Sequence, residues 1–301
     1  MRRILALSLI LAVFLFGCAQ NQGGQQQPET AYVGTQGIVF DFLTNYPPTV
    51  IYTSGSGDTG NSIVLEVKNK GAYTTGAMFY LSGYDPSILQ IVGNSYALGT
   101  IEGKTTTNIE GGYTQVQFPF GSTFSVSLPK GSDNYPVTLQ ATACYDYQTR
   151  ANLPVCIDPD PYGVIKQKAC TPHGAATGGG QGAPVSVTSV EQESSPGKVV
   201  FKMKIGNAGG GQVIEKGLST VCTTSNLKYS QMDKIQYNVR LGGAGGDCKP
   251  ANPFRLINNA GTINCVFNLG VSKLAYTTTL DVEMNYGYIY SKQKAIQIKK
   301  I

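Results

Sequence analysis

The chain has no tryptophan, a single histidine, His173, and a charged fraction of only 14% in 301 residues. One histidine and no C-x₂₋₄-C knuckle argue against zinc. There is no G-x-S-x-G, no H-E-x-x-H and no nucleophile motif for His173 to activate. A non-catalytic protein is therefore expected, with no metal or other cofactor. Loss of Arg2 and Arg3 with an N-terminal leader takes two from the net charge of +5 and leaves +3. That balance excludes a nucleic-acid partner as the leading reading. Beyond the N-terminus no apolar run is long enough to cross a bilayer, and no stretch carries a convincing period of 3.6 residues.

What is present begins with export. Arg2 and Arg3 precede Ile4 to Phe16, a nearly apolar segment too short for a transmembrane helix and of the length of a signal core. It ends in Leu15-Phe16-Gly17-Cys18, which resembles the lipobox of prokaryotic lipoproteins. The resemblance implies a signal peptide over residues 1–17, diacylation of Cys18 and attachment of the body outside the cytoplasmic membrane. A plain secretory signal cut nearby is the alternative. Residues 18–31, rich in Gln, Gly and Asn, read as a flexible tether.

The body is expected to be all-β, because short alternating Val, Ile, Thr and Tyr segments lie between Gly, Asn and Pro turns. It also repeats. Ile63, Leu65, Val67, Asn69 and Gly71 align at an offset of 138 with Phe201, Met203, Ile205, Asn207 and Gly209. At an offset of 141, Tyr135, Leu139, Ala141, Ala143, Tyr145, Tyr147, Val155 and Ile157 align with Tyr276, Leu280, Val282, Met284, Tyr286, Tyr288, Ile296 and Ile298. We read two tandem β-sandwiches, over residues 32–168 and 185–301, joined by a Gly/Pro-rich linker at 169–184.

A strand followed by Asn-x-Gly, in "LEVKNKG" and "KMKIGNAGG", resembles the early strands of immunoglobulin-like CARDB-type domains of prokaryotic surface proteins. "LSGYDPSIL" and "YGYIYS", with the lipobox, look like archaeal surface lipoproteins. The resemblance implies an Ig-like fold and a surface location, and carries no catalytic residues across.

With Cys18 assigned to lipid, Cys144, Cys156, Cys170, Cys222, Cys248 and Cys265 remain, an even number suited to disulfides in an exported chain. Leu139, Ala141, Ala143, Tyr145 and Tyr147 share one strand face and Leu153, Val155 and Ile157 share a face of what reads as a return arm. Cys144 and Cys156 then both point outward, and both become polar in the second copy, as Asn285 and Gln297. The expected bridges are Cys144 to Cys156 across this hairpin, Cys248 to Cys265 around an Asn/Gly-rich loop, and Cys170 to Cys222 as the residual pair. Three cysteines in each half require at least one bridge between halves.

Other motifs carry less. "GSGDTG" at 55–60 matches G-x-G-x-x-G but leads into a strand rather than a helix, and "GTIEGKT" at 99–105 falls one residue short of a P-loop. Asp158 and Asp160, near Asp146, could offer oxygen to calcium, although a strand-exit turn is the default. Tyr135, Tyr145, Tyr147, Tyr276, Tyr286 and Tyr288 are expected on core faces, whereas Tyr80, Tyr84, Tyr96 and Tyr113 mark the segment where a partner surface is expected. The expectation is a lipid-anchored surface protein that binds a protein partner in adhesion or envelope structure. The alternative is an extracellular glycan- or solute-binding lipoprotein, which needs a concave polar-aromatic pocket.

Overall fold

The computed structural model describes residues 32–301 except 55–56, 164–166, 176, 178, 223–226 and 271–273. The leader, Cys18 and the tether expected over residues 1–31 lie outside the described residues, as does Gly55. The fold is all-β, and among the described residues the only helical element is one 3-10 turn at Tyr229–Gln231.

Two strands dominate, Asn134–Ile157 and Tyr276–Lys300. Every odd residue of the first from Val137 to Ile157 is buried, the period of two expected of a strand, and Thr142, Cys144 and Cys156 are buried on its other face as well. A strand of 24 residues extends about 80 Å at the usual rise. The return arm expected after Tyr147 does not form. Gln148 to Asn152 have the polar composition of a turn, yet Thr149 and Ala151 are buried between exposed Arg150 and Asn152. The alternation, which needs only a half-buried face, prevails over composition.

The two long strands pair with each other, antiparallel, from Asn134 opposite Lys299 to Ile157 opposite Tyr276. Near the middle Asp146 faces Gly287, which is also its equivalent at the offset of 141. Each copy therefore meets its twin about a pseudo-two-fold axis at that pair. Tyr145 lies opposite Tyr288 and Tyr147 opposite Tyr286. The four rings form one buried cluster with centroids 5.7 to 6.4 Å apart.

Each half adds an equivalent three-stranded layer. In the first, Ile63–Asn69 lies between Ile38–Phe42 and Tyr113–Phe118. In the second, Lys198–Asn207 lies between Val185–Ser195 and Ala260–Asn268, with Asp247–Lys249 beyond. Ile38 pairs with Asn69 just as Val185 pairs with Asn207, so the registers repeat as well as the order.

The ends of the long strands are exchanged between halves. Thr149 Oγ1 donates to the Val185 carbonyl at 2.6 Å and Gln192 Nε2 to the Cys156 carbonyl at 2.7 Å, which ties the end of the first strand to the second half. Reciprocally, the end of the second strand pairs in parallel with Val50–Thr53, and Tyr290 packs edge-on against Phe40. The Gly/Pro-rich segment between the halves is held down too, since Gly182 O accepts from Ala72 N and from the Tyr147 hydroxyl. Carbonyls of Gln140, Asp146 and Cys156 all face away from the partner strand. Pro154 shares their parity, so its missing N–H falls on the open edge and blunts it against strand addition.

The Asn-x-Gly motif locks each layer to the tyrosines. Asn69 Nδ2 donates to Tyr73 O at 2.8 Å and its Oδ1 accepts from Gly71 N at 3.1 Å. Asn207 repeats both bonds with Gly211 O and Gly209 N, at 2.8 and 3.3 Å. The turn so made presents Tyr73 N to the Tyr147 hydroxyl, and Gly211 N to the Tyr288 hydroxyl. A Cβ on Gly71 would overlap the Tyr147 hydroxyl and crowd the carbonyls of Gln36 and Gly182, and one on Gly209 would overlap the Tyr288 hydroxyl. Gly71→Ala is therefore expected to lower unfolding free energy by about 3 kcal/mol in urea titration, as overpacking against backbone does. Gly99→Ala, with nothing within 4 Å of its Cβ, should leave the midpoint in place. Equal midpoints for the two variants would refute the lock.

One difference breaks the symmetry. The strand Thr75–Ser82 flanks the first long strand, but its counterpart is split into Gln212–Ile214 and Lys234–Leu241. Tyr73 matches Gly211 at 138, whereas Met78 and Gln236, which face the equivalent positions Cys144 and Asn285, differ by 158. The second half thus holds twenty extra residues here. Part of that insertion lies over the outer face of the first half: Gly217 N donates to Asp146 Oδ1 at 2.9 Å, and Tyr80 donates to Thr220 O at 2.6 Å.

Candidate functional site

The cysteines close around these features, and not as the spacing implied. Cys144 bonds Cys222, Cys156 bonds Cys170, and Cys248 bonds Cys265. The expected Cys144–Cys156 bridge is excluded because both lie on one extended strand, twelve residues and about 40 Å apart. Cys170 therefore pairs within its own half, and Cys222 on the insertion makes the bridge between halves. Cys144 does point outward, yet it is buried with Ile214, Cys222 and Ile289 beneath the insertion. Cys248 and Cys265 stand directly opposite each other on neighbouring strands.

The tyrosines expected to mark a partner surface do not share one. Phe79 faces Tyr96 in the ladder and Phe79 is wholly buried, so Tyr96 and Tyr80 project from opposite faces of that sheet. Tyr80 serves the insertion and Tyr96 stacks with Phe120 at 5.2 Å. Tyr84 packs half-buried against the core, and Tyr113 stands exposed on the other layer, donating to Glu66 Oε1 at 3.0 Å. Asp158 is buried and ion-paired with Lys168, which also donates to Asp160 O at 3.0 Å. The ammonium thus occupies the carboxylate offered to calcium, and Asp146 lies far up the strand. Among the described residues no three His, Cys, Asp or Glu side chains group as a metal site. The first motif runs into the strand Asp58–Asn61 and Ser95–Ile101 enters "GTIEGKT", so neither motif opens a helix that could hold a phosphate.

The open outer face of the central sheet is a different matter. Three strands bring three rows of polar side chains into register: Gln148, Asn285 and Gln236; Arg150, Glu283 and Asn238; Asn152, Asp281 and Arg240. Neighbouring strands set the columns about 4.8 Å apart and alternate residues set the rows about 7 Å apart. The first row and part of the second are wired together. Gln148 Nε2 donates to Asn285 Oδ1 at 3.1 Å, Asn285 Nδ2 donates to Glu283 Oε1 at 3.0 Å, and Arg150 lies 3.6 Å from Glu283. Among the described residues Asn152, Asn238, Arg240 and Asp281 have no side-chain partner.

Arg150, Asn152, Asn238, Arg240, Asp281 and Glu283 line a depression of about 460 Å³. Arg150 is also a wall of a second hollow of about 270 Å³, which holds Tyr32, Tyr73, Gln148 and Gln181. Two guanidinium groups face two carboxylates, so the depression carries no net charge. No protein-family model matches the chain, and no curated protein is similar to it at a significant level.

The sequence held one signal for this face. At the offset of 141, Arg150 and Asn152 correspond to Ser291 and Gln293, while Asp281 and Glu283 correspond to Gln140 and Thr142. The copies agree at most core-face positions, with Lys292 and Lys294 in place of Ala151 and Leu153 as exceptions, and they differ in charge on the outer face. Without the pairing of the long strands, nothing indicated that the four charged and amide positions would converge.

Proposed function

We propose that the protein is a lipid-anchored, extracytoplasmic, non-catalytic surface protein that acts through binding, in adhesion or envelope structure. The observation that carries this reading is the stiff construction of the body. Two Ig-like copies, of the CARDB type suggested by their Asn-x-Gly strands, share one long ladder and exchange strand ends. Three disulfides, one of them between halves, suit an oxidising exterior. Such a body holds its binding faces at fixed separation, where separate domains on a linker would pivot.

Anchoring is tested in cells. Wild-type protein is expected in the membrane fraction, released only by detergent and cleaved by protease added to intact cells. Cys18→Ala should leave it unlipidated. Wild-type protein that resists external protease, or a lipid-modified residue other than Cys18, would refute this placement.

A second reading, reception of a glycan or polar solute, is favoured by the depression between Arg150 and Asp281 and the hollow with Tyr32 and Tyr73 beside it.

A further inference from the structure

We propose that the depression on the second half is a binding site for a neutral oligosaccharide, which rests on and deepens the second reading above. The pseudo-two-fold axis supplies an internal control. The pair Arg150 and Glu283 is equivalent to Ser291 and Thr142, and the pair Asn152 and Asp281 to Gln293 and Gln140. At the twin positions the side chains satisfy each other: Thr142 and Ser291 hydroxyls lie 2.9 Å apart, and Gln293 Nε2 donates to Gln140 Oε1 at 2.9 Å. Short neutral pairs therefore meet every structural demand of these ladder positions. In the second half the same positions hold long charged and amide groups, and Asn152, Asp281 and Arg240 find no partner among the described residues. Structure alone does not call for them.

Their chemistry selects the ligand. Arginine only donates, carboxylate only accepts, and the asparagine amides do both. Donors and acceptors alternate across strands, an arrangement complementary to hydroxyl groups, each of which can donate and accept. Two positive charges against two negative ones favour neither an anion nor a cation. A volume of about 460 Å³ lies within the usual range for ligand sites. The adjoining hollow adds Tyr32 and Tyr73, 61% and 38% exposed, as apolar ring faces against which the C–H face of a sugar can pack. Arg150 joins the two hollows, so a ligand longer than one ring would span both.

Isothermal titration of the full-length protein in detergent, with maltohexaose and cellohexaose as neutral probes and sulfated maltohexaose as the charged one, tests this. At least one neutral hexasaccharide should bind, with affinity about tenfold weaker in Arg240→Ala and in Asp281→Ala, since each removes a charged hydrogen-bonding partner. Gln293→Ala, at the twin position, should bind as the parent does. Binding of neither neutral probe, tighter binding of the sulfated one, or an equal loss in Gln293→Ala would overturn the proposal. These results are independent of lipidation, so the anchoring test can fail while this one succeeds.

Discussion

Raising the pH is expected to unfold the protein cooperatively above about pH 10, through the four central tyrosines. Burial pushes the Tyr145, Tyr286 and Tyr147 hydroxyls well above the ordinary phenol range, and Tyr288 to about 12. Below pH 10 these phenols are protonated in both states and the stability they confer is complete. Above it the unfolded chain releases protons that the folded one retains, so stability falls as pH rises. Each tyrosine contributes a slope of about 1.4 kcal/mol per pH unit, and four contribute about 5.5. Against a total stability of roughly 5–15 kcal/mol, the fold should open within about two pH units of the onset. Absorbance of tyrosinate and near-ultraviolet dichroism should then change together for the buried rings. Ionisation of all eighteen tyrosines with the dichroism intact would refute the role given to burial. Tyr288→Phe should reduce the slope by one proton's worth.

The sequence made the local rules readable and left the long-range pairing hidden. Parity placed Tyr145, Tyr147, Tyr286 and Tyr288 on core faces, and all four are buried. The match between "VKNKG" and "KIGNAGG" marked a motif whose bonds recur nearly one for one. What misled was Gln148 to Asn152. Five residues of turn-like composition are also what a strand with one solvated face presents, and local alternation is too short there to separate the two. From that one misreading came the hairpin and the Cys144–Cys156 bridge. Paired residues of the two long strands run from Ile157 with Tyr276 to Asn134 with Lys299, more than a hundred residues apart throughout, and no local signal announces a pairing at that distance. Twenty inserted residues hid a further equivalence, since the offset changes from 138 to 158 within what is one strand in the first half. The candidate site was illegible for the same reason: its side chains come from three strands that meet only in the ladder.

Removal of the bridge between halves is expected to cost more than removal of either local one. Cys144 and Cys222 are 78 residues apart in sequence, whereas Cys156–Cys170 and Cys248–Cys265 close separations of 14 and 17. In the chain-entropy account, loops of these sizes stabilise by about 4.5 kcal/mol for the long one and about 3 kcal/mol for each short one. The long bridge also fastens the insertion over the outer face of the first half, where, among the described residues, the Gly217–Asp146 and Tyr80–Thr220 hydrogen bonds add to it. Cys144→Ala with Cys222→Ala should therefore lower unfolding free energy by about 4–5 kcal/mol and expose the buried cluster of Ile214 and Ile289 to solvent. The loss should be read by urea titration, and the exposure by hydrogen exchange across residues 214–222. Exchange at Arg150 to Asn152 and Asp281 to Glu283 should not change, because the long ladder holds the second half's outer face independently of the bridge. A non-reducing peptide map linking Cys144 to Cys156, or a loss no larger than that of the Cys156–Cys170 variant, would contradict this arrangement. The comparison separates two sources of rigidity, the covalent one confined to the roofed face and the hydrogen-bonded one that supports the open face.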